Sequence, residues 1–400
     1  MSKIDDLIAS MCPDGVPMIA IKNYLTRQSG MNITAGRMRE IAVPNGPVRL
    51  FAAGQTFVDT TEDQIPLGSL YQGPGLIIKS RGNIGFEFCN SLYSHKNEMW
   101  SYSKKNPFLE LKFVYYVLLS QANSLQKLAR SKSVKLPQLS VGDIDDLLIP
   151  LPPLEIQKEI VAILDKFTEL EAELEAELEA RKKQYEFYRE SLFGHATEHS
   201  EIKSIANVAN IWRGRRFVKD DILEKGVPAI HYGEIYTRYG LEASEAFSFL
   251  DPELAAKLRF AKSGDVVLVS AGETIEDIGK SFAWFGKEDV VIHDACYGIR
   301  SSELDAKYMV HFFNTYNFRS QLRMYISSSK ISAISTEKLG KVLIPVPTLK
   351  RQKEIANLLD RFDTLITNIS HGLPAELAAR RQQYEYFRNK LLTFKKLDVA

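Results

Sequence analysis

Ile149-Pro150-Leu151-Pro152-Pro153-Leu154 leads into Gln157-Lys158-Glu159-Ile160, and nearly the same stretch returns as Ile344-Pro345-Val346-Pro347-Thr348-Leu349 before Gln352-Lys353-Glu354-Ile355. The two copies are separated by a constant offset of 195 residues. A repeat with so long a period indicates a duplicated domain and not a solenoid of short units. The chain is therefore predicted to consist of two similar units in tandem.

The similarity between the units is strong only in the C-terminal part of each, which is called the back; the N-terminal part is called the front. A second block, Arg181-Lys182-Lys183-Gln184-Tyr185-Glu186-Phe187, returns as Arg380-Arg381-Gln382-Gln383-Tyr384-Glu385-Tyr386. Towards the start of each unit the match fades to a loose likeness between residues 77–82 and 267–272. Divergent fronts on similar backs are typical of modules that read different targets from a shared scaffold.

The backs are predicted to be long helices. Prolines at 150 and 152–153, and again at 345 and 347, force an extended chain just before each helix, which therefore begins near 154 or 349. Apolar residues then recur at steps of three, four or seven, which keeps one stripe on a single helix face. The residues assigned to a helix-pair or partner interface are Leu164, Phe167, Leu170, Leu174, Leu178, Tyr185, Leu359, Phe362, Leu373, Leu377 and Tyr384.

The two helical segments differ in continuity and in charge. The first contains three Glu-Leu-Glu-Ala tetrads from Glu169 to Ala180, whereas the second has four extra residues around Gly372 and Pro374, where a break is expected. Residues 155–193 carry a net charge of −5 and residues 346–400 carry +4. Opposite charge beside matching apolar stripes favours an antiparallel pair. The alternative is that each helix packs only on its own domain.

The composition fits a cytoplasmic protein with two globular cores. The chain has 400 residues, of which 45% are hydrophobic. The charged start at residues 1–6 is unlike a signal peptide, and no apolar run is long enough for a membrane helix. The cysteines at 12, 89 and 296 form no Cys-x-x-Cys motif, so neither a disulfide framework nor a zinc site is expected.

Three parts of the sequence resemble catalytic or ligand-binding motifs but lack the spacing or a residue that the motif requires. Six residues separate Gly272 from the Gly279-Lys280 pair, whereas a phosphate-binding loop needs four. Asn106-Pro107-Phe108 lacks the second proline of an amino-methyltransferase motif and is interpreted as a helix start. The histidines at 231, 293 and 311 are far apart in sequence, so each is interpreted as a packed or surface residue. No catalytic residue and no metal site are predicted.

Basic, aromatic and amide side chains in the divergent fronts remain as the candidate binding chemistry. Arginine and lysine neutralise phosphates, and arginine also forms paired hydrogen bonds with base edges. Taken alone, each residue is better explained as an ordinary surface charge, and the net charge of +1 is low for a protein that binds DNA alone. The residues assigned to DNA binding are Arg37, Arg39, Lys79, Arg81, Lys132, Lys135, Arg213, Arg215, Arg216, Tyr232, Tyr236, Arg238, Lys280 and Lys330.

The duplicated motifs resemble the conserved helical regions of the DNA specificity subunit of type I restriction-modification enzymes. The likeness rests on the Pro-rich entries into Gln-Lys-Glu-Ile, the Leu-Asp-Lys/Arg-Phe sequences at 164–167 and 359–362, and the tyrosine blocks at 181–189 and 380–388. It covers essentially the whole chain. The tetrads depart from the family pattern, because the second copy has Gly-Leu-Pro-Ala-Glu at 372–376 instead.

This resemblance implies an α+β protein in which two target-recognition domains are joined by two long antiparallel helices with pseudo-twofold symmetry. The implied domains are residues 1–150 and 196–345, and the implied helical regions are 151–195 and 346–396. Each domain would read half of a bipartite site in double-stranded DNA. The helices would set the spacer and recruit two modification subunits and two restriction subunits. S-adenosylmethionine, ATP and Mg²⁺ would serve those partners, with no cofactor bound by this chain.

Two functions of other classes stay open at this stage. A self-contained DNA methyltransferase or nuclease would bind its cofactor or cleave DNA as a purified chain, and the missing glycine-rich cofactor loop argues against it. A structural adaptor would use the coiled coil and the fronts to bind proteins. A salt-dependent shift of DNA by the chain with its modification partner would exclude the adaptor.

Overall fold

The computed structural model describes residues 3–54, 56–133, 135–327, 332–367 and 372–397. The chain divides into two compact units. Unit 1 comprises Met1–Leu174 together with Leu377–Ala400, and unit 2 comprises Glu175–Glu376. Among the helices of the described ranges, none combines the length and the apolar character that crossing a membrane requires.

Unit 1 contains ten short strands and the first six helices. The strands are β1 (Met18–Ala20), β2 (Leu25–Ser29), β3 (Val48–Phe51), β4 (Phe57–Thr60), β5 (Tyr71–Gln72), β6 (Gly75–Lys79), β7 (Gly85–Cys89), β8 (Leu92–His95), β9 (Trp100–Lys104) and β10 (Leu148–Pro150). The helices are α1 (Lys3–Met11), α2 (Ile21–Tyr24), α3 (Ala35–Glu40), α4 (Leu111–Ser120), α5 (Ala122–Lys132) and α6 (Val141–Asp145). The long helix α7 (Leu154–His199) begins in this unit.

Unit 2 repeats this plan with more strands. Its strands are β11 (Glu201–Ser204), β12 (Asn210–Arg213), β13 (Val227–Ile230), β14 (Glu242–Ala243), β15 (Ser248–Leu250), β16 (Phe260–Ala261), β17 (Val266–Val269), β18 (Ala271–Gly272), β19 (Ser281–Trp284), β20 (Val290–Ile292), β21 (Cys296–Arg300), β22 (Ser332–Ala333) and β23 (Leu343–Val346). Its helices are α8 (Ile205–Val208), α9 (Tyr232–Thr237), α10 (Pro252–Ala255), α11 (Ala306–Phe313), α12 (Tyr316–Tyr325), α13 (Thr336–Gly340) and α14 (Leu349–Thr367), and the chain continues into α15 (Leu373–Leu391).

Each unit has two main sheets around its core. Unit 1 has the sheets β2-β9-β6-β7 and β4-β3-β8-β5, and unit 2 has β12-β21-β17-β19-β14 and β15-β13-β20-β16. The strands β6 and β17 are fully buried and lie inside their sheets, each between two antiparallel neighbours. Residues 77–79 and 267–269 of the loosely similar stretches lie in these two strands, so the faint sequence similarity marks equivalent strands.

The Pro-rich stretch that repeats in sequence has the same structure in both units. Pro150 and Pro345 lie in β10 and β23, each of which belongs to a two-stranded antiparallel sheet. A proline is tolerated there because only one side of such a strand needs hydrogen-bond donors. The helices α7 and α14 then begin at Leu154 and Leu349, as the prolines predict.

The glutamine of each Gln-Lys-Glu-Ile motif fixes the start of its helix to the domain. Gln157 is fully buried, donates to the carbonyls of Pro152 and Phe108 at 2.7 and 2.9 Å, and accepts from the amide of Glu110 at 2.7 Å. The equivalent Gln352 makes the same three bonds, to Pro347, Glu303 and Asp305, at 2.7 to 2.8 Å. The repeated glutamine is therefore a buried three-way connector.

The long helices differ as the sequence predicts. Helix α7 runs for 46 residues without interruption through the three tetrads. The second segment is divided, because α14 ends at Thr367, Gly372 is not helical, and α15 begins at Leu373.

Helix pairing is visible inside each unit. In unit 1, Glu171 accepts a 2.6 Å ion pair from Arg381, and Phe167 stacks on Phe387 at 5.6 Å, so α7 and α15 run antiparallel. In unit 2, Tyr185 and Tyr188 of α7 stack on Phe362 of α14 at 6.5 and 5.2 Å. Among the predicted stripe residues, the buried ones are Leu164, Tyr185, Leu359 and Leu377, the half-buried ones are Phe167, Leu174, Leu178, Phe362, Leu373 and Tyr384, and the exposed one is Leu170.

One local prediction is wrong. Asn106-Pro107-Phe108 forms a turn that precedes α4, which begins only at Leu111. The Asn106 side chain accepts a hydrogen bond from the amide of Phe108 at 2.8 Å, and this local bond favours a turn over a helix start.

Candidate nucleic-acid interface

In the front of unit 1, helix α3 presents two arginines to solvent. Thr34 caps this helix by accepting a 3.2 Å bond from the amide of Arg37, and Met38 packs inward. Arg37 and Arg39 are both exposed. Arg37 bonds to Glu40 and Gln64 at 3.2 Å, whereas Arg39 bonds only to the carbonyl of Ala35 among the described residues. Arg39 is therefore the freer of the two cations.

Lys79 does not lie on the surface. It ends the fully buried strand β6, and its ammonium group donates to Glu87 at 2.8 Å and to the carbonyl of Gly54 at 2.6 Å. Only 5% of this residue is exposed. Its position in the sequence suggested an outward-facing cation, but every residue of β6 is buried. In this arrangement Lys79 stabilises the front instead of reaching a phosphate.

Arg81, Lys132 and Lys135 come together at one edge of unit 1. Arg81 forms an antiparallel bridge with Gln138, and the amide of Gly82 donates to the carbonyl of Pro137 at 2.8 Å, so the turn after β6 lies against the segment that follows α5. All three cations are exposed. Lys132 is paired with Asp143, which leaves Arg81 and Lys135 as the more available charges.

The front of unit 2 places three arginines on one short segment. Arg213 donates to the carbonyl of Asp294 at 2.6 Å, and Arg215 donates to the carbonyl of Lys257 at 2.6 Å. Gly214 between them is required by close approach, because a Cβ there would lie 2.2 Å from the carbonyl oxygen of His293. Arg216 is exposed and makes no hydrogen bond or ion pair within the described part of the chain.

The same region brings together two histidines that are far apart in sequence. The rings of His231 and His293 lie 4.8 Å apart, and Tyr232 lies 5.3 Å from His293. The cause is strand register: β13 and β20 are parallel, Ile230 is opposite Ile292, and the next residue of each strand is a histidine. Burial lowers the pKa of both histidines below the usual value, so they add no positive charge at neutral pH.

The remaining aromatic and basic residues of this front lie in or near helix α9. The Lys280 ammonium lies 4.6 Å from the centre of the Tyr236 ring and pairs with Asp277 at 3.1 Å. Arg238 is exposed and lies over the Phe247 ring at 5.3 Å. A Cβ on Gly272 would meet the side chain of Asp277 at 2.8 Å. The segment between Gly272 and Lys280 therefore packs on its own side chains and is not an open phosphate loop.

A polar cleft of about 380 Å³ lies beside Arg213. Ser270, Ser335 and Thr336 contribute hydroxyl groups to its lining. Hydroxyls and an arginine around a cleft suit the sugar-phosphate backbone of DNA. Lys330, which was also assigned to DNA binding, lies outside the described residues.

The chain is similar to known DNA specificity subunits of type I restriction enzymes. The model for the type I restriction modification DNA specificity domain matches residues 68–180 and again 197–379. A type I restriction enzyme specificity subunit of Escherichia coli is 31% identical over 298 residues, which cover 72% of each chain.

Two solved structures share the fold. The S subunit of a type I restriction-modification system from M. genitalium has a TM-score of 0.55 and 16% identity, with 96% of each chain covered. A chain from a study of complex assembly and conformational transition in a type I system has a TM-score of 0.57 and 13% identity, with 97% of this chain and 99% of that chain covered. The match to the family model and the 31% identity to the Escherichia coli subunit show that the chain belongs to the type I restriction-modification DNA specificity family.

Proposed function

We propose that this chain is the DNA-recognition subunit of a type I restriction-modification complex. Each front reads one half of a bipartite DNA target, the helices set the unread spacer, and partner subunits perform the chemistry. The observation that carries the proposal is the combination of two equivalent scaffolds with fronts that display different sets of exposed cations. A methyltransferase needs such positioning because its target base must be flipped out of the duplex.

The proposal assigns residues 1–150 and 196–345 to recognition and residues 151–195 and 346–396 to assembly. The chain itself is non-catalytic and acts in the cytoplasm. S-adenosylmethionine belongs to two modification subunits, and ATP and Mg²⁺ belong to two restriction subunits. Phosphate contacts made by these partners would account for a net charge of only +1 on this chain.

Arg216 is the strongest candidate for a direct DNA contact in unit 2. Arg213 and Arg215 are held by the carbonyls of Asp294 and Lys257, which fixes the segment but occupies some of their donors. Arg216 keeps its donors free among the described residues, and the preceding residue, Arg215, is fixed by its bond to the carbonyl of Lys257. A free guanidinium on a fixed backbone suits either a phosphate or a guanine edge.

The test measures DNA binding by the chain assembled with its modification subunits, across a range of salt concentrations. If Arg216 contacts a phosphate, Arg216→Ala lowers the slope of log affinity against log salt by roughly 0.9. If it contacts a base, the slope stays the same and discrimination at one base pair falls by about 1–3 kcal/mol. Arg351→Ala is the matched control, because Arg351 is equally exposed but lies on α14. An unchanged slope and unchanged discrimination in Arg216→Ala remove Arg216 from the interface.

Duplicated exposed apolar residues support two copies of one partner. At equivalent repeat positions, Leu148 and Leu343 are 52% and 49% exposed, and Phe187 and Tyr386 are 68% and 63% exposed. Leu170 and Leu365 also match, at 43% and 39%. A single exposed apolar side chain needs no explanation, but exposure that is matched at three repeat positions supports a use of these positions in both copies. Exposed aromatics are common anchors of protein interfaces.

Native mass spectrometry of the complex tests this stoichiometry. Phe187→Ala and Tyr386→Ala should each leave one modification subunit bound, and the double variant should leave none, because each aromatic serves one copy. Leu67→Ala is the control, since Leu67 is 92% exposed in the front of unit 1 and lies outside the repeated surface. Two modification subunits retained by the double variant would contradict the assignment.

A further inference from the structure

The last turn of α7 contains three potential metal ligands that the proposed function does not use. His195, Glu198 and His199 are exposed, and one ligand atom from each lies within 4.8 Å of the other two. No other such group of three occurs in the described ranges. From this cluster we infer that His195, Glu198 and His199 form a surface site for one transition-metal ion of the zinc class.

The geometry of the cluster is close to that of a chelate. Residues four apart on a helix face the same side, and the rings of His195 and His199 are nearly parallel, at 8°, with centroids 6.3 Å apart. Glu198 Oε2 lies 3.7 Å from His195 Nδ1. Two ligand atoms on one zinc ion are at most about 4.2 Å apart, because each bond is about 2.1 Å. The ligand atoms lie within 4.8 Å of one another, and rotation of the exposed side chains can bring them to the distance that a shared ion requires.

The backbone beneath the ligands is fixed. Phe193 and Ala196, on the opposite face of the same turn, are buried in the core of unit 2. The Phe193 ring packs on Tyr308 and Phe312 at 4.9 and 5.6 Å. Binding therefore orders only the three ligand side chains, which lowers the entropic cost of forming the site.

The position of the cluster at the C-terminal end of α7 also favours the binding of a cation. His199 is the last residue of α7, and the carbonyl end of a helix carries partial negative charge. The repeat positions that correspond to His195 and Glu198 are Phe394 and Leu397, which offer no ligand atom. The site is therefore unique to the first helical segment, and the expected stoichiometry is one ion per chain.

The ligand set selects the class of metal. Two imidazoles and one carboxylate suit Zn²⁺, Ni²⁺ or Cu²⁺, whereas Mg²⁺ prefers oxygen ligands and retains its water. The spacing His-x-x-Glu-His also occurs in one class of zinc proteases, in which the glutamate serves in catalysis. Here all three side chains are exposed to solvent. None of them lines either of the two cavities of unit 2 that adjoin Asn210 and Arg213. The inference is therefore binding and not proteolysis.

Calorimetric titration of the full, chelator-treated chain with ZnCl₂, and separately with MgCl₂, tests the site. Zn²⁺ should bind with a stoichiometry of one, and Mg²⁺ should give no saturable heat. His195→Asn and His199→Asn should each weaken Zn²⁺ binding by roughly tenfold or more, because each removes a ligand. Glu186→Gln, an exposed change on the same helix, should bind Zn²⁺ like the unaltered chain.

Thermal melting separates loss of the site from loss of the fold. Without metal, the two histidine variants should melt at the temperature of the unaltered chain, because both side chains are exposed. Added Zn²⁺ should raise the melting temperature of the unaltered chain more than that of His195→Asn. Equal Zn²⁺ affinity in the unaltered chain and both variants, or no saturable Zn²⁺ binding at all, overturns the inference.

Discussion

The two units bind their long helices with the same polar cluster built from different side chains. In unit 1, Asp165 of α7 pairs with Lys112 at 2.7 Å and accepts a bond from the hydroxyl of Tyr116 at 2.5 Å. In unit 2, Asp360 of α14 pairs with Lys307 at 3.0 Å, and the third member is the imidazole of His311 at 2.8 Å. The conserved element is thus a hydrogen bond to a carboxylate and not a particular residue.

The electrostatics of these clusters explain why the exchange is tolerated. Burial tends to raise the pKa of Asp360, but bonds from His311 and Lys307 more than offset it, so the pKa lies below the usual value. Burial and the bond to Asp165 raise the pKa of Tyr116, which keeps its proton available for donation. Either donor stabilises an ionised aspartate. At this position the backs of the two units therefore differ in residue type but keep the same chemistry.

Among the tests of the equivalence of the two units, the exchange of one front should have the largest effect. Replacing residues 200–345 with the corresponding front of another family member should change one half of the DNA target and leave the other half unchanged. The reason is that the front of each unit carries its own exposed cations. Methylome sequencing of cells that express the hybrid with its modification subunit measures both halves. A change in both halves would contradict independent reading.

The paired glutamines provide the largest expected effect on stability. Gln157→Leu and Gln352→Leu each leave one buried amide and two carbonyls without their partner, at a cost of roughly 2–4 kcal/mol. If the units are equivalent, chemical denaturation should give similar losses for the two variants. Lys158→Ala and Lys353→Ala, at the exposed next positions, should change stability by less than about 0.5 kcal/mol. A loss confined to one glutamine variant would show that only one helix start depends on this connector.

The third member of each polar cluster should contribute less. Tyr116→Phe removes one hydrogen bond to an ionised aspartate, which is expected to cost about 1.5–3 kcal/mol. His311→Phe removes the equivalent bond to Asp360 and also the 3.4 Å bond between His311 Nδ1 and the Tyr185 hydroxyl, so its cost should be at least as large. Tyr115→Phe is the control, since the hydroxyl of Tyr115 has no hydrogen-bond partner within the described ranges. Denaturation curves of the three variants compare the stability contributed by the phenol of Tyr116 with that contributed by the imidazole of His311. A neutral effect of Tyr116→Phe beside a large effect of His311→Phe would refute their equivalence.

Mild acid should produce the smallest difference between the units. Burial lowers the pKa of His95 in unit 1 and of His231 and His293 in unit 2. These groups are neutral in the fold, and the unfolded chain takes up protons as the pH falls below about 6.5. Stability is therefore complete above that pH and declines below it, by up to about 1.4 kcal/mol per pH unit for each histidine.

Hydrogen exchange at pH 7.5 and 5.5 can assign this loss to each unit. Unit 2 should lose more protection than unit 1, because it holds two of the three histidines. His293→Gln should reduce the acid-induced loss in unit 2. Equal losses in both units, unchanged by His293→Gln, would exclude the buried histidines as the cause.

The sequence predicted features that depend on residues close together in the chain and missed features that depend on contacts between distant segments. Helix starts at Leu154 and Leu349 and the interruption around Gly372 are encoded by prolines, glycine and apolar spacing within a few residues. The proximity of His231 and His293 depends on the pairing of two strands that are distant in sequence. Periodicity within one segment carries no information about such pairing. Burial of Lys79 was missed for the same reason, since it depends on which strands flank β6.

The composition of unit 1 has a consequence for its synthesis on the ribosome. Its core includes Leu391 and Leu392, and the amide of Val16 donates to the carbonyl of Lys395 at 2.9 Å. The last part of this unit begins at Leu377, after all of the residues assigned to unit 2. At about 5–20 residues per second, translation from residue 174 to residue 400 takes roughly 10 to 45 seconds. During that interval the nascent first unit lacks Leu391 and Leu392, so the part of its core that these residues cover stays exposed to water.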